Sequence, residues 1–341
     1  MSGNLNVETR KKSLAQKYFL WLQSCEIWCL LRKRTRFNSS IYDCLQAALE
    51  NPDATCGLHA TDGDCYELFR CLFWPVIMDC HRIDLRNLVF KHDFGHVDHL
   101  EDLSSEVNEQ ILSIRLRLNR SIQNYPMIPK LTVEQLVEIE ERFKDVFERF
   151  DEDLRGKYCS LKDITDTEQM KLREKGILFQ EPIDRYLESA GAYNHWPNGR
   201  GFYMNEKESF IVWVNEEDHL SFISQSDNGK LSETYERLTR ATDQINQFCE
   251  FQQHQRLGYL NLSPLNIGTA LEITVRVRLT HPERLDQLIE LSKRLDIGSK
   301  LTHDRCIISF SNLIRLGRTE FHIIRSMWNG IEQIITEDIR E

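Results

Sequence analysis

The sequence predicts an α+β fold, with a small all-helical N-terminal domain followed by a larger domain with an antiparallel sheet flanked by helices. Apolar residues recur at helical spacing through residues 13–51 and 65–81. From residue 111 onwards, segments that alternate between apolar and polar residues are joined by long amphipathic segments and a hairpin signal. We therefore predict domains at residues 1–85 and 86–341.

Length and composition indicate a folded protein with a large core. The 341 residues suffice for two domains at roughly 150 residues each. Hydrophobic residues make up 41% and charged residues 28% of the chain, which excludes global disorder. The net charge of −10 argues against nucleic acid or a membrane surface as a partner, although it does not exclude a local basic pocket.

The first apolar segment is predicted to be a packed amphipathic helix. Residues 18–31 are interrupted by polar side chains and followed by the basic residues 32–36, so the segment is too short and too polar to span a bilayer. Cys25 and Cys29 lie one helical turn apart within it, which predicts buried thiols and not zinc ligands. Ten cysteines without a C-x-x-C pair predict a reducing compartment, and we expect a cytoplasmic protein.

Individual elements of the larger domain follow from periodicity. Thr132 and Gln135 give the signature of a capping box at the start of a helix. The predicted strands are 111–118, 201–205, 209–214, 256–262 and 271–279, and the predicted helices are 131–150, 230–251 and 318–339.

Arg115 and Arg117 are the first candidate for a binding site. They lie two residues apart on a predicted strand, so both side chains lie on the face opposite Ile114, Leu116 and Leu118. Neighbouring guanidiniums repel each other unless an anion or carboxylates lie close, and their forked donors fit phosphate oxygens. A phosphate site and a solvated strand face with carboxylate partners both explain the pattern.

Two further clusters of polar residues are candidates for a functional site. The sequence Asn-Glu-Glu-Asp-His at 215–219 follows an apolar strand, where carboxylates can hold a cation or take up a proton, although a charged turn also explains it. Residues 91–103 contain three histidines at a spacing that fits no standard zinc pattern. We predict a polar linker there and no protein-bound metal.

Six segments together resemble the phosphagen (ATP:guanidino) kinases, and most closely the arginine kinases. They occur in family order and cover about residues 14–338, and the most specific are Trp-Pro-Asn-Gly-Arg-Gly at 196–201 and the acidic stretch at 212–220. The segments are 51–69, 93–100, 113–126, 184–224, 256–269 and 315–335.

The resemblance implies the fold predicted above and a defined reaction. The family transfers the γ-phosphoryl group of MgATP to a guanidino nitrogen, mainly by positioning and charge neutralisation. An arginine cluster holds the phosphates, acidic residues orient the guanidinium, and a cysteine lies beside it. MgATP or MgADP is therefore the implied cofactor, and a guanidino compound is the implied partner.

Five positions keep the family pattern. By this resemblance, Arg115 and Arg117 match phosphate-binding arginines, and Glu217 matches the carboxylate that aligns the guanidino group. Asp53 and Arg185 match the pair that locks the two domains together.

Other positions depart from the pattern. Ser221 and Glu272 stand where the family has phosphate-binding arginines, and Ser263 replaces the substrate-side cysteine, although a serine does not readily supply a thiolate. Arg276 occupies the position of a nucleotide-contacting histidine, and Ser309 that of an aspartate near the adenosine. We expect Arg276 or Arg278, on the same strand, to neutralise Glu272.

Two loops also differ from the family. Residues 295–306 are shorter than the mobile loop and lack its arginine, glycine and glutamate pattern, so no closing lid is expected. The guanidino-specificity loop keeps Gly57, whereas Ala54 and His59 replace a serine and a tyrosine.

Three hypotheses follow from these departures. The leading hypothesis is a catalytically impaired or inactive family member, a pseudo-phosphagen kinase, with residual nucleotide binding. The alternatives are an active ATP:guanidino phosphotransferase with a rebuilt site, and an interaction protein without nucleotide affinity. The sequence names no protein partner.

Overall fold

The computed structural model describes residues 12–100, 103–179 and 184–340, so the first eleven residues of the predicted N-terminal domain lie outside the described residues. The helices are α1 (Leu14–Trp21), α2 (Ser24–Arg32), α3 (Ile41–Glu50), α4 (Cys65–Leu68), α5 (Arg70–His81), α6 (Ser105–Asn108), α7 (Val133–Phe147), α8 (Asp166–Glu174), α9 (Arg185–Ser189), α10 (Leu231–Asn246), α11 (Leu285–Arg294) and α12 (Glu320–Ile339). The strands are β1 (Ile111–Arg120), β2 (Gly156–Ser160), β3 (Gly201–Asn205), β4 (Phe210–Val214), β5 (Leu220–Ser226), β6 (Gln253–His254), β7 (Gly258–Tyr259), β8 (Leu271–Arg278), β9 (Ile297–Leu301) and β10 (Ile307–Asn312).

The predicted fold class is confirmed. After the helical N-terminal part, eight strands form one antiparallel sheet in the order β2-β3-β4-β5-β1-β8-β10-β9, and β6 pairs with β7 separately. The apolar residues of β1 and β8 point to one face, where they pack with α7, α10 and α12 into the main core. The polar residues of the same strands therefore share the opposite face.

The N-terminal helical segment differs from the prediction. It forms two helices instead of one, because capping boxes at Ser13 and Gln23 start α1 and α2 separately. In α2 the residues that turn inward include the buried Leu30, so the opposite face, with Cys25 and Cys29, is exposed. The prediction that these two thiols are buried is wrong, because both were assigned to the inward face.

Several strands also differ from the predictions. The predicted strand 256–262 is reduced to the two residues of β7, and β2, β5, β9 and β10 were not predicted. The helix predicted over 131–150 is α7, and its capping box of Thr132 and Gln135 is present. The predicted linker contains a short 3-10 turn at Val97–His99. Before this turn, His92 Nδ1 lies 2.8 Å from Oε1 of the buried Glu320.

The helical part and the larger domain are in direct contact. Helix α3 packs beside α9, where Arg185 donates a hydrogen bond to Asp53 and the hydroxyl of Tyr186 donates to the same carboxylate at 3.2 Å. The core of the helical part also includes buried residues from beyond residue 86, among them Met127 and Leu262. The boundary between residues 85 and 86 stays a prediction.

A substitution at Gly199 can test how the loop before β3 packs against helix α7. Its φ of +62° is left-handed, and a Cβ at this position collides with the backbone C and O of Leu136. We expect Gly199→Ala to lower the free energy of unfolding by about 2 kcal/mol or more, because strain and overpacking add. Urea-induced unfolding measures this loss.

The control is Gly176→Ala. Gly176 also has a positive φ, of +69°, but a Cβ there meets only the end of the Arg115 side chain, 3.2 Å away. We expect a smaller loss of about 1 kcal/mol, from backbone strain alone. Equal losses in the two variants contradict the proposed collision with α7.

Candidate active site

The polar face of the central strands carries the predicted phosphate-binding residues. In the antiparallel register, Arg117 of β1 lies opposite Glu272 of β8 on one side and Ile223 of β5 on the other. Arg115 lies opposite Thr274 of β8. The predicted strand face is therefore confirmed, and a carboxylate lies directly across from one of the two arginines.

Arg117 is held by groups of the chain itself. Its Nη2 donates to Glu216 Oε2 at 2.8 Å and to Ser221 Oγ at 3.2 Å, and its Nε donates to Asn119 Oδ1 at 3.0 Å. The guanidinium also lies 4.9 Å from the ring centroid of Trp213. Glu216 and Ser221 thus accept the hydrogen bonds that Arg117 Nη2 donates.

Arg115 has no carboxylate partner among the described residues. Its Nη1 donates to the carbonyl of Gly176 at 2.8 Å, and its guanidinium lies 5.5 Å from the Trp213 ring centroid. Burial, together with the neighbouring Arg117, lowers the pKa of Arg115 to about 10. The group stays charged at neutral pH.

Glu272 is paired with an arginine that the sequence did not single out. Arg315 Nη2 lies 3.1 Å from Glu272 Oε2, while Arg315 Nη1 donates to Asn266 Oδ1 at 3.0 Å. The expected partners Arg276 and Arg278 are exposed and form no ion pair with it. That expectation is wrong, because a separation of four strand residues spans about 13 Å.

The acidic turn between β4 and β5 is fixed by its last two residues. Asp218 accepts hydrogen bonds from the N–H of Leu262 at 2.8 Å and from Asn119 Nδ2 at 2.9 Å. His219 Nδ1 accepts a hydrogen bond from the N–H of Ile122 at 2.7 Å. Burial lowers the pKa of His219 to about 4, so the imidazole stays neutral. Both residues serve the geometry of the turn.

Glu217 is half-buried within the same turn. Burial, with the nearby carboxylates of Asp218 and Glu216, raises its pKa to about 8, although Arg117 and Arg315 act in the opposite direction. The carboxyl group is therefore mostly protonated at neutral pH when no cation lies beside it. A guanidinium bound against Glu217 lowers this pKa and restores the carboxylate.

The other predicted substrate residues lie next to this turn. Leu262, bound by Asp218, precedes Ser263, whose Oγ accepts from the N–H of Leu265 at 3.3 Å. The carbonyl of Leu262 accepts from the N–H of Ala60 at 2.7 Å. This bond joins the residue after His59 to the residue before Ser263.

Gly57 and His59 are both buried within the predicted guanidino-specificity loop. Gly57 has a φ of +71°, and a Cβ there approaches Ala48 and Ser13 to 2.8 Å. His59 is buried, its Nδ1 has no hydrogen-bond partner in the described part of the chain, and burial lowers its pKa to about 4. It therefore adds no positive charge to the site.

The remaining predicted residues lie elsewhere. The exposed pair of Asp53 and Arg185 belongs to the contact between α3 and α9. Arg276 and Ser309 are opposite each other on β8 and β10, further along the sheet face. Sequence reasoning missed Arg315 and the indole of Trp213, since a loop residue and a strand residue of the apolar pattern gave no local signal.

The comparisons with known proteins agree with this architecture. A family model described as the ATP:guanido phosphotransferase C-terminal catalytic domain matches residues 138–340, and the model of the N-terminal domain of the same family matches residues 9–78. The chain belongs to the ATP:guanido phosphotransferase family. The predicted resemblance is confirmed.

Individual family members resemble the chain over nearly its whole length. An arginine kinase of Penaeus vannamei, Lit v 2.0101, is 35% identical over 97% of this chain and 94% of its own length. An arginine kinase of Artemia franciscana is 34% identical with the same coverage.

Solved structures show the same fold. The duplicated taurocyamine kinase from Schistosoma mansoni superimposes with a TM-score of 0.90 and 28% identity, covering 98% of this chain and 47% of that chain. A lombricine kinase superimposes with a TM-score of 0.88 and 25% identity, covering 96% of this chain and 92% of the other.

No cluster of three or more histidine, cysteine, aspartate or glutamate side chains within residues 12–100, 103–179 and 184–340 is suited to hold a metal ion. Over the same residues, none of the helices is both long enough and apolar enough to cross a bilayer.

The raised pKa of Glu217 predicts a pH-dependent stability. Its folded-state value of about 8 lies above the ordinary 4.5, so the stabilisation by this group is lost as the pH rises towards 8. Glu217→Gln cannot ionise. We expect its free energy of unfolding, relative to wild type, to increase by about 2 kcal/mol between about pH 5 and pH 8, at 1.4 kcal/mol per pKa unit reduced for partial exposure.

The measurement is chemical denaturation of both proteins at several pH values. Ser263→Ala is the control, because it changes a neighbouring side chain that does not titrate. Its difference from wild type should stay constant over the same range. A constant difference for Glu217→Gln as well rules out the proposed protonation.

Proposed function

We propose that this arginine kinase-like chain is a pseudo-phosphagen kinase, which keeps the family scaffold and has lost efficient phosphoryl transfer. The observation that carries the proposal is that two arginines of the predicted phosphate site form ion pairs with carboxylates of the chain itself. Arg117 is bound by Glu216, and Arg315 is bound by Glu272. The cluster thus supplies internally the negative charge that a phosphate would bring.

The cost of displacing these carboxylates supports the proposal. Two unit charges 4 Å apart interact by about 4 kcal/mol at an effective dielectric constant near 20. A phosphate that approaches Arg117 must compete with Glu216 for the same hydrogens, and it is repelled by Glu272. A loss of about 4 kcal/mol in the transition state lowers a rate roughly a thousandfold.

The substrate side of the cluster gives further support. Ser263 offers a hydroxyl where the resemblance places a thiolate, and a serine hydroxyl does not ionise near neutral pH. Glu217 must lose a proton before it can attract a guanidinium, because its pKa is raised to about 8. Recognition of a guanidino compound is therefore weakened independently of the phosphate side.

The proposal extends to cofactor, partners and compartment. MgADP or MgATP is the proposed nucleotide, bound weakly through Arg115, and a guanidino compound is the proposed partner where a substrate is still bound. The proposal includes no nucleic acid and no protein-bound metal. A cytoplasmic location is proposed because all ten cysteines are free thiols.

A second candidate is an active ATP:guanidino phosphotransferase with a rebuilt site. The observation in its favour is that Arg115 has no carboxylate partner among the described residues, and that Arg117 lies close enough to Glu217 to lower its pKa. An interaction protein without nucleotide affinity is the third candidate. A thermal-shift titration with MgADP separates it from the other two, because a ligand that binds only the native state raises its Tm.

The activity assay tests the main proposal. Purified protein is incubated with MgATP and a panel of guanidines that includes arginine, taurocyamine and lombricine, and phosphorylated product is measured. We expect turnover at least about a thousandfold below that of an arginine kinase assayed in parallel. Turnover within about tenfold of the arginine kinase supports the rebuilt-site alternative and overturns the proposal.

Substitutions at Glu272 test the electrostatic cause. Glu272→Gln removes the negative charge, and Glu272→Arg also adds a cation to the strand face. We expect the affinity for MgADP, measured by calorimetry, to rise in the order wild type, Glu272→Gln, Glu272→Arg, by about tenfold or more overall. Glu236→Gln, on the exposed surface of α10, controls for the change in net charge. If Glu272→Arg binds no more tightly than Glu236→Gln, Glu272 is not what weakens the site.

A further inference from the structure

The first two helices expose large apolar side chains to solvent. Leu20 is 61% exposed, Trp21 is 68% exposed and Trp28 is 64% exposed, and all three lie within residues 20–28. The other four tryptophans of the chain are buried or half-buried. Single apolar side chains on a surface are ordinary, whereas several within one short segment mark an interaction surface.

Helix α2 presents a continuous stripe of such side chains. Four exposed residues at the spacing i, i+3, i+4 and i+7 lie on one face of this helix: Cys25, Trp28, Cys29 and Arg32. The buried Leu30 lies on the opposite face. Because a free thiol behaves as a small apolar group, the outward stripe is apolar for two turns and ends in a guanidinium.

Positive charge accompanies these apolar side chains. Residues 12–40 contain six lysines and arginines but one carboxylate, that of Glu26, in a chain with a net charge of −10. Lys17 Nζ lies 5.3 Å from the ring centroid of Trp21, and Arg32 Cζ lies 6.0 Å from the ring centroid of Trp28. Each exposed indole therefore has a cation beside it.

The basic run 32–34 has no carboxylate partner among the described residues. Two other cations of the segment are neutralised by neighbouring elements, in the ion pairs Lys17–Asp79 and Arg36–Asp64. In the basic run, Lys33 Nζ donates to the carbonyl of Leu68 at 3.2 Å, and Arg34 Nη1 donates to that of Leu31 at 2.9 Å. The positive charge of the run is thus available to an anionic partner.

An anionic lipid surface fits these properties better than a protein does. Tryptophan concentrates at the boundary between lipid headgroups and acyl chains, and long basic side chains beside it reach the lipid phosphates. A helix that lies in this plane needs apolar area and positive charge, but no directional hydrogen-bond partners. The single carboxylate of the segment, Glu26, accepts from the N–H of Gln23 at 2.8 Å and so serves the start of α2.

We infer that the outer face of residues 20–34 docks on the anionic surface of a lipid bilayer, with Leu20, Trp21 and Trp28 in the headgroup region and the basic run 32–34 on the lipid phosphates. The prediction against a membrane partner rests on the net charge of the whole chain. Screening limits electrostatic attraction to about 8 Å at physiological ionic strength, so the local charge of the docking face decides. The segment lies on the bilayer and does not span it.

Co-sedimentation with lipid vesicles tests the docking. The full chain is mixed with vesicles of phosphatidylcholine and phosphatidylserine in equal amounts, or with vesicles of phosphatidylcholine alone, at physiological ionic strength. We expect the partition coefficient to be at least about tenfold higher for the anionic vesicles. Tryptophan emission should shift to shorter wavelength on binding, because the two exposed indoles leave water.

Substitutions separate the apolar and the electrostatic contributions. Trp21→Ala and Trp28→Ala should each lower the partition coefficient for anionic vesicles about tenfold, because each removes one indole from the docking face. Arg32→Gln and Arg34→Gln should each lower it about fivefold, because each removes one cation next to the lipid phosphates. The emission shift should be lost when both tryptophans are replaced.

Met170→Ala and Arg325→Gln are the matched controls. Met170 of α8 is 59% exposed, and Arg325 is an exposed cation of α12, so the two variants remove apolar surface and positive charge elsewhere on the molecule. Both should bind anionic vesicles as the wild type does. Equal weakening by the controls and by the substitutions in residues 20–34 overturns the docking face.

Three further results overturn the inference. They are no binding of the wild type to anionic vesicles, which leaves the face to a protein partner, equal binding to neutral vesicles, and wild-type binding after replacement of both exposed tryptophans. Light scattering tests whether a second copy covers the same face, and a dimer that Trp28→Ala dissociates also overturns it. An unchanged Tm shows that a variant is folded. Vesicle binding requires no nucleotide, so the kinase assay and this experiment fail independently.

Discussion

The buried carboxylate of Asp218 fixes the arrangement on which the site depends. It binds the N–H of Leu262, whose carbonyl accepts from Ala60 of the helical part, and it binds the amide of Asn119 in β1. The amide oxygen of Asn119 accepts a hydrogen bond from Arg117 Nε. A buried carboxylate is costly unless its oxygens are hydrogen-bonded, so this network gives the acidic turn, the central strand and the neighbouring loop a single geometry.

The same network explains the charge state of the cluster. When Glu217 is protonated, the cluster has three carboxylates, Glu216, Asp218 and Glu272. These face three guanidiniums, those of Arg115, Arg117 and Arg315. Burial disfavours the ionised form of Glu217, and the nearby carboxylates of Asp218 and Glu216 disfavour it further, which raises its pKa to about 8. Without any ligand, the carboxylates of Glu216 and Glu272 thus lie against the guanidiniums of Arg117 and Arg315.

Local sequence patterns predicted β1, β3, β4 and β8 and the three long helices α7, α10 and α12, but not the remaining strands of the sheet. Strands β1 and β8 alternate regularly, whereas β5 was missed because Ser221 and Ser224 are polar and yet fully buried. The helical segment at Cys25 was recognised, but helical periodicity does not tell which face turns inward. The proximity of His59 and Ser263 came from the family resemblance alone. The pairing of Arg315 with Glu272 depends on how a distant loop packs, which no local pattern encodes.

Along β8 the charge of the polar face reverses within one strand. Glu272 and Arg276 are about 13 Å apart, which exceeds the Debye length of roughly 8 Å at physiological ionic strength. Charges at the two ends are therefore largely independent of each other. The Asp218 network holds the loop at Leu262, and the apolar face of β8 packs into the main core. The residues that pack β8 into the core therefore lie on the opposite face from Glu272, which faces Arg117 across the sheet.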